Sequence, residues 1–146
     1  LNNLGWLVFE RGDASTALAY WQRALRVREA SGDAGKIRIA KWTVARGMRA
    51  VGRLDEAQAI QLDLVDVLDR AGTPDGYVYE ELAEIAVARG DASTAATWAA
   101  RAYPLLEKDA GLVAKEPARI ARLKSLAASG PSPQPSPRDA GRASPT

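Results

Sequence analysis

Apolar residues recur along this chain at the three- and four-residue steps of amphipathic helices, with no strand-like alternation. Ala17, Trp21, Ala24 and Leu25 make one stripe, and Ala57, Leu64, Val65 and Leu68 another. The spacing predicts helices over about 1–11, 14–30, 36–51, 54–71, 76–89 and 92–107, and a terminal helix over about 112–128. Ile120, Leu123 and Ala127 give that last helix a single apolar stripe, as the end of an array requires. Short polar connections such as Ser31-Gly32-Asp33-Ala34-Gly35 and Ala71-Gly72-Thr73-Pro74-Asp75-Gly76 separate the helices, so neighbours run antiparallel. Pro104 is expected to kink or shorten the sixth helix, and Pro117 to be a first-turn residue or a kink of the seventh.

The connections repeat. Arg11-Gly12-Asp13-Ala14-Ser15-Thr16-Ala17 recurs unchanged as Arg89-Gly90-Asp91-Ala92-Ser93-Thr94-Ala95, an offset of 89 − 11 = 78 residues. A weaker copy, Gly52-Arg53-Leu54-Asp55-Glu56-Ala57, starts 52 − 12 = 40 residues after Gly12 and 90 − 52 = 38 before Gly90. The glycine ends one helix in the left-handed conformation and the aspartate caps the next through its free amides. Arg53 stands where the middle copy lacks that cap, although Asp55 and Glu56 still suit a helix start. The Arg-Gly-Asp tripeptide of cell adhesion occurs here as part of this turn, and its duplication with the turn accounts for it.

These residues resemble the tetratricopeptide repeat (TPR) family, whose unit of about 34 residues is an antiparallel helix pair. The first unit matches with Leu4-Gly5, Val8, Gly12, Ala17, Trp21 and Ala24, and the third with Tyr79, Leu82-Ala83, Ala86, Gly90, Ala95 and Ala102. The second matches with Val44-Ala45, Met48, Gly52, Ala57, Gln61 and Leu64, Gln61 replacing the aromatic. The longer period is similar to the extended bacterial form of the repeat. The resemblance implies an all-α fold: a right-handed superhelical array, or α-solenoid, with units 1–33, 34–73 and 74–108 and a capping helix at 112–128. It also implies a groove lined by the first helix of each unit, here Asn2, Trp6 and Phe9, then Trp42, Arg46 and Arg49, then Tyr77, Glu80 and Glu84. The family's carboxylate clamp needs Lys, Asn, Asn, Lys and Arg, whereas those positions read Asn2, Trp6, Thr43, Tyr77 and Glu81, so that use is rejected. An asparagine ladder fits only at Asn2-Asn3 and is broken by Trp42-Thr43 and Glu80-Glu81.

Composition narrows the chemistry. The 146 residues contain no Cys and no His, which removes thiolates, the usual general base and the commonest zinc ligand. No phosphate loop or nucleophile–base set is present, so no catalytic residue, cofactor or metal is expected. Asp63, Asp66 and Asp69 lie three apart on a helix, which cannot converge them on a metal as a loop can. A net charge of +2 argues only weakly for nucleic acid, and no apolar run approaches the roughly 18 residues of a membrane span. A cytoplasmic chain is the expectation. From 129 to 146 a Pro/Ser-rich polar tail cannot bury a core and is expected to be disordered. Its Ser-Pro steps at Ser132, Ser136 and Ser144 are explained by composition. Leu1 already reads as helix interior, so further chain is expected upstream.

The stretch from Lys36 to Arg53 departs most from its counterparts: Lys36, Arg38, Lys41, Arg46, Arg49 and Arg53 with no acid. Trp42, Arg46, Arg49 and Arg53 fall at steps of four, three and four and are expected to share a face. Either they meet a ligand, or Arg46 and Arg49 pair with Glu80, Glu81 and Glu84 across the array. Trp21 is expected in the core, Trp98 in packing like its counterpart Tyr20, and Trp6 and Phe9 in the groove or against an upstream repeat. Gly47 in mid-helix points to close helix packing.

The function these features imply is a non-catalytic protein–protein interaction scaffold, the C-terminal repeats of a larger bacterial signalling protein whose upstream part could be an enzyme such as a kinase. Its partner contacts are Trp42, Arg46 and Arg49, with Asn2, Trp6, Glu80 and Glu84 behind them. Two alternatives stay open: a spacer or self-associating element using its N-terminal face, and an anion or nucleic-acid site on helix 36–53.

Overall fold

A computed structural model describes residues 2–130. Leu1 and 131–146 lie outside the described residues, and with them most of the expected tail, including Ser132, Ser136 and Ser144; so does the side chain of Asn2. The described chain is all helical: α1 Asn2–Glu10, α2 Ala14–Ser31, α3 Ala34–Ala50, α4 Leu54–Arg70, α5 Gly76–Ala88, α6 Ala92–Leu106, α7 Ala110–Lys115 and α8 Pro117–Ala128.

The repeated turn works as its residues dictate. Gly12 and Gly90 take φ of 88° and 74°, a conformation that a Cβ would strain. Asp13 accepts from the Thr16 amide at 3.0 Å, and Asp91 from the Thr94 amide at 3.1 Å. The Thr16 and Thr94 side chains first, and these amide bonds second, hold the two aspartates below the usual carboxylate range. Arg53 makes no capping bond; its guanidinium grips Glu56 in the first turn of α4 at 2.8 and 2.6 Å. The expected face of Trp42, Arg46, Arg49 and Arg53 therefore loses its last member. α3 ends at Ala50, and Arg53 belongs to the start of the next helix.

The expected terminal helix is two helices. Glu116 precedes a proline and is driven out of the helical region, to φ −133° and ψ 59°. α7 stops there, and Pro117 opens α8 as a first-turn residue. α6 continues through Pro104 and ends two residues later, at Leu106.

From α1 to α6 each helix packs on the next, and α8 packs on α6. α3 also meets α5 directly. Two apolar clusters result. One joins α1 to α5 around Trp21, Val44, Leu64 and Ile85, and the other joins α5 to α8 around Tyr79, Ala102, Leu106 and Leu123. Trp98 packs against both, stacked on Tyr79 with ring centroids 5.8 Å apart.

One contact shows why the copies diverge. A Cβ on Gly5 would fall 2.4 Å from Nε1 of Trp21, and one on Gly47 would fall 3.0 Å from the other side of the same indole. Glycines on α1 and α3 thus make room for the largest side chain of the core, which explains Gly47 by packing. At the matching positions the pair Gly5 and Trp21 becomes Ala45 and Gln61, then Ala83 and Ala99, all buried. As the second residue shrinks, the first regains its methyl group.

Candidate functional site

Trp42, Arg46 and Arg49 sit four and three residues apart on α3 and share one face. Opposite them α5 offers Glu80, Glu81 and Glu84, and beyond α5 stand Arg119 and Arg122 of α8. The three helices carry charge in the order basic, acidic, basic.

The pairing is specific. Glu81 accepts two bonds from Arg49, 2.7 and 2.9 Å, and lies 3.9 Å from Nε of Arg46. Glu80 is held by both arms of Arg119, which also reaches Glu116 at 3.1 Å. Glu84 takes Arg122 at 2.6 and 3.0 Å. Glu80 and Glu81 are 4% and 2% exposed, and these forked bonds compensate charges that burial would otherwise disfavour. Burial alone would push the Glu84 carboxyl up, but Arg122 outweighs it and leaves it below the usual range. Burial likewise works against the Arg49 charge, and the hydrogen bond to Glu81 more than restores it.

Arg46 is different. Its guanidinium lies over three rings, 4.9 Å from the centroid of Trp6, 5.9 Å from Phe9 and 5.6 Å from Trp42. Nε is buried and has no hydrogen-bond partner. Burial lowers its affinity for the proton, and Glu81 offsets only part of that. Cation–π contacts hold the charge without satisfying its donors. Trp6 and Phe9 also pack on Trp21, at 4.7 and 5.5 Å, so both belong to the first helix pair while facing Arg46.

Toward the start of α3, Trp42 donates Nε1 to the carbonyl of Tyr77 at 3.2 Å and meets its ring edge to face. Arg38, Ile39, Trp42, Asp75, Tyr77 and Val78 surround an apolar hollow of about 250 Å³ there. The Tyr77 hydroxyl donates to Asp109 at 2.5 Å, and burial together with this bond pushes the phenol up to about 12.

Of the residues expected from sequence, Trp42, Arg46, Arg49 and Trp6 come together. Glu80 and Glu84 stand in the same layer, but they face α8 and pair there, where pairing with Arg46 and Arg49 had been one expectation; Glu81 alone serves α3. The side chain of Asn2 lies outside the described residues. Asp69, grouped by spacing with Asp63 and Asp66, accepts from Tyr79 and Arg101 at 2.5 and 2.7 Å. Arg119 and Arg122 are the residues that sequence reasoning missed. Their signal was the repeat period: they follow Glu80 and Glu84 by 39 and 38 residues.

No family model matches the chain, and no curated protein or solved structure matches it.

Proposed function

We propose that this chain is a non-catalytic scaffold that docks a protein segment along the face shared by α1, α3, α5 and α8. In this reading the three helix pairs are TPR-like units of a right-handed array, and α8 takes the place of a fourth first helix. The array would serve in a bacterial signalling protein of the cytoplasm. No helix among the described residues is long and apolar enough to cross a membrane.

The observation that carries this reading is Arg46. Arg49, Arg119 and Arg122 are each held by a carboxylate, whereas Arg46 is stacked among aromatics with its buried Nε unpartnered. The basic helix supports nucleic-acid binding less well, because Arg49 and Arg53 are each engaged by a glutamate. Self-association draws support from α1, whose Leu4 and Leu7 are 44% and 45% exposed at the first helix of the row.

Panning a displayed random-peptide library on the full chain tests the scaffold, with Arg46→Glu as the counter-screen. Arg49 is left intact because its bond to Glu81 is structural. Enrichment of a motif that the variant loses supports the reading. No enrichment, or the same motif on a variant with an unchanged helical melt, overturns it. Sedimentation across a concentration series tests the self-associating alternative, which predicts a dimer that Leu4→Lys with Leu7→Lys dissolves.

A further inference from the structure

The hollow and the stacked arginine lie one turn apart on the same helix, and their chemistries are complementary to one kind of ligand. Ile39, Trp42, Tyr77 and Val78 give the hollow apolar walls, and Ile39 is 55% exposed at its rim with no apolar cover among the described residues. Arg46 follows Trp42 by four residues, a rise of about 6 Å along the helix axis. Side chains two apart in an extended peptide point the same way and stand about 6.6 Å apart. Resting on the scaffold reading, we propose that α3 and α5 bind an extended peptide segment with an apolar side chain in the hollow and, two residues along, a Glu or Asp carboxylate on Arg46.

Pairing favours an acid over a neutral acceptor. Four guanidiniums, Arg46, Arg49, Arg119 and Arg122, stand among the carboxylates of Glu80, Glu81, Glu84 and Glu116. Arg49 and Arg122 each take one glutamate in a forked bond, and Arg119 takes Glu80 in one and reaches Glu116 as well. Arg46 is the one of these four cations that no carboxylate holds by a hydrogen bond. Trp6 on one helix and Trp42 on its own flank it, so a carboxylate meets a guanidinium already confined by its neighbours. The arriving charge also relieves a cation whose burial is only partly offset by Glu81 at 3.9 Å.

The test uses short acetylated and amidated synthetic peptides carrying Leu-Ser-Glu in a Gly/Ser background, titrated into the full chain and read by the indole N–H signals of Trp6 and Trp42. Replacing Glu by Gln in the peptide, or Leu by Ala, is expected to weaken binding by about tenfold each. Arg46→Gln should impose the same loss on the Glu peptide and none on the Gln peptide, and Arg46→Lys should restore only part of it. Because the Gln peptide leaves the protein unchanged, a misfolded variant does not obscure the result. Equal binding of the Glu and Gln peptides, or a preference that survives Arg46→Gln, overturns the proposal. So does tighter binding by a free-acid peptide whose terminal carboxylate replaces the Glu side chain. Failure of these peptides while panning yields another motif removes this proposal and leaves the scaffold; failure of both removes both.

Discussion

Glu81 grips Arg49 at 2.7 and 2.9 Å from a position 2% exposed, and the same carboxylate is the nearest counter-charge to Arg46. One acid therefore compensates two half-buried cations. Glu81→Gln keeps the shape and removes the charge, leaving both guanidiniums in low-dielectric surroundings. The expected cost is about 3 kcal/mol, read from urea unfolding. Arg122→Gln is the control. That pair is half open to water, and its loss should cost about 0–1 kcal/mol. Equal costs would show that burial does not govern this network.

Gly5→Ala should destabilise, although alanine is the better helix former by about 1 kcal/mol. The added methyl lands 2.4 Å from an indole that is itself 1% exposed and backed by Gly47. Overpacking of this kind costs about 1–3 kcal/mol. Pairing Gly5→Ala with Trp21→Gln imitates the second unit, and the loss should be less than the sum of the single changes. Additive losses, or a melting temperature that rises with Gly5→Ala alone, would show that the indole moves aside freely.

The helix boundaries were legible because punctuation and periodicity agree: Gly12, Gly52 and Gly90 end helices, and apolar stripes run between them. The break at Glu116 was not read, because Lys115, Glu116, Ala118 and Arg119 are good helix formers and only the constraint on the residue before Pro117 decides the matter. The α3 face of Trp42, Arg46 and Arg49 follows from spacing alone. Which glutamate answers which arginine does not, since Glu80, Glu81 and Glu84 are chemically equal. Their directions depend on α8, which α7 delivers to the far side of α5. The aromatic contacts of Arg46 needed α1 and α3 side by side, a relation that no local pattern encodes.

Tyr77→Phe probes the junction of α5 with α7. The Tyr77 hydroxyl, ahead of the Leu112 amide, holds Asp109 below its ordinary value of 3.8. A depressed carboxylate contributes stability that is complete above its unfolded value and lost as pH falls through the lower folded value. Wild type should thus exceed Tyr77→Phe in urea midpoint at pH 7, and the gap should close as pH falls below about 3.8. A gap unchanged at low pH would detach the hydroxyl from Asp109's charge. The phenol has the opposite sign. Its value is raised from 10.0 to about 12, so its share of stability is whole below 10.0 and lost across that interval, and Asp109→Asn should move its absorbance step downward.

Gln61 is where the middle unit has no aromatic, and its amide is poorly satisfied. It is 0% exposed, its Nε2 makes one long bond of 3.4 Å to the carbonyl of Trp42, and its Oε1 has no partner. That carbonyl lies within α3, so losing the glutamine does not strand it. A buried amide oxygen without a donor carries a desolvation cost of about 1–3 kcal/mol, whereas a bond this long returns little. Methionine has nearly the same volume, bends around the same corner, and leaves no polar atom to satisfy. Gln61→Met should therefore stabilise the fold by about 1 kcal/mol, seen as a higher urea midpoint with unchanged slope. Because Gln61 lies beneath Trp42, the same variant should leave the surface of α3 intact, and the peptide titrations should keep their order. A destabilised Gln61→Met would mean that the amide is satisfied by a buried water, making the second unit polar by design.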